Sequence, residues 1–98
     1  MKEITPEELA KKLKAGENIS IIDVREDEEV AQGKIPGARH IALGTIPDRL
    51  DEIDKDQPHY MVCRSGGRSG KACQFLKAQG YDVINMTGGM LAWKDEVE

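Results

Sequence analysis

Tyr60-Met61-Val62-Cys63-Arg64-Ser65-Gly66-Gly67-Arg68-Ser69 is the stretch on which the reading of this chain turns. The apolar run from His59 to Val62 predicts a buried strand, and it stops on a cysteine. A short loop with two glycines and two arginines follows. The chain then re-forms as a predicted helix over Ser69–Gln79, with Ala72, Phe75 and Leu76 on its apolar side and Gly80 closing it. That layout aims loop N–H groups, a helix N-terminus and guanidinium groups at one sulfur atom.

Such an arrangement makes and holds a sulfur anion. A free cysteine titrates near 8.5, and bringing it to about 6.5 takes roughly 2.7 kcal/mol in favour of the thiolate. A helix end contributes on the order of 0.3–1 kcal/mol, up to ~2 when partly buried. Loop N–H groups curled around the sulfur add the rest. Gly66 and Gly67 suit a curl that needs positive φ. Arg64 and Arg68 add Coulomb attraction or grip an anionic substrate bidentately. The plainer account of Cys63 is a buried packing thiol. Packing alone, however, has no use for two glycines and two arginines beside the sulfur.

Working outward, Thr5-Pro6-Glu7-Glu8 is a capping box that opens a helix through Leu9, Ala10 and Leu13, with Gly16 as its stop. Ile19–Val24 is dense in β-branched residues and reads as a buried strand. Glu26–Gln32 predicts a short helix, and a brief strand follows around Arg39-His40-Ile41. Ile46, Leu50 and Ile53 recur at helical spacing, with Pro47 near the start. Tyr81–Met86 predicts a further strand and Met90–Lys94 a short closing helix. Strands alternating with helices imply an α/β fold: a mostly parallel sheet covered by helices on both faces. Cys63 then sits at the carboxyl end of a central strand, where open α/β sheets carry their sites.

The loop resembles that of single-domain rhodanese-type sulfurtransferases, which carry Cys-Arg-x-Gly-x-Arg-Ser. Three more segments fit in order. Ile21-Ile22-Asp23-Val24-Arg25 is similar to the family's strand ending in Asp-Val-Arg, with Glu29 where an acidic residue follows. Gly33-Lys34-Ile35-Pro36-Gly37-Ala38 resembles its Gly-His-Ile-Pro-Gly-Ala segment, and Gly88-Gly89-Met90-Leu91-Ala92-Trp93 its closing Gly-Gly-x-x-x-Trp. Lys34 departs from the histidine common there, a change expected to alter local hydrogen bonding rather than activity. The resemblance implies a rhodanese-like sheet of about five strands wrapped by helices, residues 1–98 forming one domain. It also implies a sulfane sulfur carried as a persulfide on Cys63, with Arg64, Ser65, Gly66, Gly67, Arg68 and Ser69 cradling it.

Around the loop, Asp23 is expected to pair with Arg68 or Arg25 and to hold the loop's shape from behind. An ordinary salt bridge or helix cap explains the same residues. His40, His59, Tyr60 and Trp93 read as structural, and Lys71 as either solvated or an aid to anion attraction. Cys73 borders the helix's apolar stripe and reads as packing, with a resolving thiol as the alternative.

Ninety-eight residues leave no room for a second core. No apolar run approaches the ~20 residues of a membrane span. Met1-Lys2-Glu3-Ile4 leads straight into the capped helix without the look of a secretion signal, which points to the cytoplasm. A net charge of −4 without a basic stripe speaks against nucleic acid as a partner. Arg64, Arg68 and Lys71 stand out against that background and suit a small anionic donor such as thiosulfate, with a thiol or protein as sulfur acceptor. No metal-ligand spacing and no cofactor motif is present. Two other readings remain: a persulfide carrier or partner-binding module without turnover, and a phosphatase or arsenate reductase. The latter use Cys-x5-Arg, whereas here Arg68 comes one position early and Ser69 takes the arginine's place.

Overall fold

Alternation along the two central strands sorts their side chains into two layers. On β2 (Ser20–Asp23), Ile21 and Ile22 are both buried yet belong to opposite cores. On β4 (His59–Val62), Met61 and Val62 divide in the same way. A strand buried on both faces needs cover on both. The computed structural model, which describes Met1 to Glu98, supplies it. Around β2 and β4 lie β1 (Lys2–Ile4), β3 (Arg39–His40) and β5 (Val83–Met86), in the order β1-β5-β4-β2-β3. Every neighbouring pair is parallel, with Ile22 opposite Met61 and Met61 opposite Asn85.

One core holds Ile22, Val24, Ile46, Met61, Cys63, Ala72 and Leu76 beneath α3 (Gly67–Ala78) and a 3-10 helix over Leu43–Asp48. The other holds Ile4, Leu9, Ile21, Ile35, Val62 and Met86, with α1 (Pro6–Lys14) and Trp93 against it. α2 (Asp27–Ala31) buries no side chain and lies at the carboxyl end of β2. The Thr5 capping box forms as expected: Thr5 Oγ1 accepts from the Glu8 N–H at 3.1 Å and Glu8 Oε1 from the Thr5 N–H at 3.0 Å.

Several expectations need correcting. Lys2–Ile4 forms an edge strand on β5 before the helix begins. Three residues with only Ile4 buried are too short for alternation to show. The Ile46/Leu50/Ile53 segment is two 3-10 helices, Leu43–Asp48 and Leu50–Glu52, since Pro47 falls inside the first and cannot donate an α-helical bond. Gly89–Ala92 is likewise 3-10. The active-loop helix begins at Gly67 rather than Ser69. Lys34 has its own employment: its Nζ donates to the Ala38 carbonyl at 3.0 Å and pairs with Glu98 at 3.2 Å, while the two backbones bond in both directions.

Candidate active site

Cys63 follows directly on the last residue of β4, and its side chain is buried. The chain turns through Arg64, Ser65 and Gly66 into α3, with Gly66 at φ +103° as the cap residue. That backbone belongs to glycine. Gly67 does not share the requirement: it is ordinary helix, with open space where a Cβ would stand. At the sulfur, the Gly66 N–H donates to Sγ at 3.0 Å and the Ser69 hydroxyl stands 3.3 Å away.

The direction of the loop amides is set from outside. After β5 the chain turns at Gly88 and Gly89, and the next two amides reach back. Met90 N–H donates to the Cys63 carbonyl at 2.8 Å, and Leu91 N–H to the Arg64 carbonyl at 3.0 Å. In a trans peptide the carbonyl and the following N–H point opposite ways. Holding the Arg64 carbonyl outward therefore turns the Ser65 N–H toward the sulfur. Gly89 permits this close approach, because a Cβ there would lie 2.3 Å from the Arg64 carbonyl carbon and oxygen.

Burial alone pushes the Cys63 thiol up. The Ser69 side chain and the N–H groups of Ser69, Gly66 and Ser65 act against burial and outweigh it, so the thiol lies below its ordinary value. Cys73 shows what burial does without such donors: it is pushed up to about 12, by desolvation first and by the Cys63 charge second. Both thiols are free, and Cys73 behaves as a packing residue.

Of the two partners expected for Asp23, the structure forms one. Asp23 pairs with Arg25, not Arg68: Arg25 Nη2 reaches Asp23 Oδ2 at 2.8 Å and Nε reaches Oδ1 at 3.0 Å, both residues buried. Arg25 Nη2 also donates to the Gly33 carbonyl at 2.8 Å, so the pair ties β2 to the turn before β3. Arg68 is gripped by Glu29, Nη1 to Oε1 at 2.6 Å and Nη2 to Oε2 at 2.8 Å. The Arg68 bond, then the Glu26 N–H that Glu29 caps, hold this carboxyl at about 2. Arg64 is exposed and makes no ion pair. It borders a groove of about 270 Å³ with Arg25, Glu29, Leu91 and Val97. A larger hollow of about 500 Å³, between Lys2 and Tyr81, includes none of the loop.

His59 is structural, its Nε2 donating to the Asp54 carbonyl at 2.6 Å and its Nδ1 facing the Ser20 hydroxyl at 2.7 Å. His40 bonds the Arg25 carbonyl. Two residues in the shell around the sulfur escaped a residue-by-residue reading. One is Asn85 on β5, whose Oδ1 lies 2.5 Å from Ser69 Oγ. The other is Gly89 in its packing role. No local pattern marks Asn85, because its partners lie across the sheet.

Comparison with known proteins agrees with this fold. The Bacillus subtilis protein YtwF, provisionally named a sulfurtransferase, is 47% identical over 98 residues, covering the whole chain and 95% of that protein. A Pseudomonas putida protein named thiosulfate sulfurtransferase GlpE is 35% identical over 91% of this chain and 82% of its own. A crystal structure of a rhodanese-like domain protein from Staphylococcus aureus superposes with a TM-score of 0.95 at 47% identity, covering 100% of this chain and 97% of that one. These relatives point to a sulfurtransferase or sulfur-carrier role. The rhodanese-like domain pattern itself matches residues 5–96, taking in the strand that carries Asp23, the cysteine loop and the turn that pins it, and the chain belongs to the rhodanese-like domain family.

Proposed function

We propose that this protein is a sulfurtransferase working through a persulfide on Cys63, with a thiosulfate-like dianion as donor. The Cys63 thiolate attacks the sulfane sulfur and a new S–S bond forms. The old S–S bond breaks with its electron pair on the departing sulfite. An acceptor thiolate or cyanide then attacks the terminal sulfur, and Cys63 leaves again as thiolate. Electrons balance on donor and acceptor alone, and the pattern is covalent, ping-pong catalysis. The observation that carries this reading is the cradle, in which three N–H groups and a hydroxyl bring a buried thiol below its ordinary value.

Two further features support it. Where a Cys-x5-Arg phosphatase loop would present a guanidinium, Ser69 places a hydroxyl against the sulfur. The name of the Pseudomonas putida relative supports thiosulfate as donor. Free, unpaired thiols suit a reducing compartment, and we place the protein in the cytoplasm, acting as one domain over residues 1–98.

The test is intact mass after incubation with thiosulfate. Wild type and Cys73→Ser gain one sulfur atom, and Cys63→Ser gains none. An adduct that survives in Cys63→Ser, or none on freshly reduced wild type, overturns the reading.

A further inference from the structure

Ser69 carries one hydroxyl proton and has two claimants for it. Its Oγ stands 2.5 Å from Asn85 Oδ1 and 3.3 Å from Cys63 Sγ. Asn85 cannot turn away, because its Nδ2 donates to the Gly66 carbonyl at 3.2 Å, and a carbonyl only accepts. Oδ1 is thereby fixed as an acceptor facing Ser69. Both Ser69 and Asn85 are buried, so water does not dilute the competition.

We propose that Asn85 is a positioning residue for the sulfur chemistry: by drawing the Ser69 proton to itself, it sets how much of that hydrogen bond the sulfur receives. When Cys63 is a thiol, its S–H donates to Ser69 Oγ while Ser69 donates to Asn85, and the chain is complete. When Cys63 is a thiolate, the proton that would stabilise it is shared with the shorter bond to Asn85, so the sulfur receives only part of it. Turning it toward the sulfur leaves Ser69 Oγ and Asn85 Oδ1 as two lone-pair oxygens at 2.5 Å. Asn85 therefore favours the thiol and restrains the nucleophile. It also braces the Gly66 peptide, whose N–H touches the sulfur.

The proposal rests on Cys63 as the nucleophile, but its test needs no turnover. Thiolate absorbance and the alkylation rate of Cys63, located by mass, are followed against pH. Asn85→Ala frees the Ser69 proton and lowers the Cys63 pKa by about one unit, the size of one hydrogen bond to a charged group. Ser69→Ala alone raises it, since the hydroxyl's share of the lowering is lost, and Ser69→Ala added to Asn85→Ala removes the drop. Asn85→Leu, which fills much of the same space with no acceptor, lowers it likewise and decides the matter if the alanine protein fails to fold. A Cys63 pKa unchanged or raised in whichever of the two variants folds, or a drop that persists without Ser69, overturns the proposal.

Discussion

Arg25 and Arg64 line one groove with Glu29, which grips Arg68, and two of these three guanidinium groups are already neutralised. Asp23 takes Arg25, and Glu29 takes Arg68. That leaves Arg64, whose side chain has no other partner, as the free guanidinium for the dianionic donor proposed above. Arg64→Ala is therefore expected to raise the KM for thiosulfate roughly tenfold, the value of one charge-assisted hydrogen bond, with kcat little changed. Steady-state kinetics separates the two. Glu29 has a different signature. Its carboxyl falls from 4.5 to about 2 in the folded protein, so the stability it contributes is complete above about 4.5 and disappears as pH falls through about 2. Urea midpoints followed from neutral pH down through that window decline in wild type, and Glu29→Gln loses much of that dependence. At this level Cys63, Arg64 and the Asp23-Val24-Arg25 run were legible, since each belongs to a short contiguous pattern. The partner of Arg68 was not settled by sequence, because Glu29 lies 39 residues away and only the folded sheet brings the two together.

The cradle is assembled by two elements facing each other. α3 and the loop before it carry the donors, and the Gly88–Ala92 turn holds the loop carbonyls so that the donors face inward. Gly89→Ala tests that division of labour. Its Cβ would fall 2.3 Å from the Arg64 carbonyl and 2.5 Å from the Ser65 nitrogen, so the loop must move. The expected result is a fall of tenfold or more in Cys63 alkylation at neutral pH, on the scale of about one pKa unit, without loss of the sheet's circular dichroism. Strands and helices with a clear period were readable to within a residue or two: Ser20–Asp23 inside the expected Ile19–Val24, and Asp27–Ala31 inside Glu26–Gln32. The 3-10 pieces were not, because Ile46, Leu50 and Ile53 have a helical period that Pro47 prevents an α-helix from using.

Across the whole molecule, the sheet order places β4 between β5 and β2, so the sulfur sits where both flanking strands can contribute. β5 brings Asn85 and the pinning turn, and β2 brings Asp23 with α2 and Glu29 behind it. Alternation of strands and helices foretold this parallel sheet, with Cys63 at the carboxyl end of a central strand. The β1 edge was hidden, as was the clasp between Lys34 and Glu98, because each joins segments distant along the chain through very few residues.

The pinning turn has a consequence for how the protein is made. The amides that turn the Cys63 loop inward belong to Met90 and Leu91, which follow the cysteine in the sequence by most of a helix, a strand and a turn. A ribosome that has already delivered the cysteine has still to supply them, so the emerging polypeptide carries a sulfur without its full cradle.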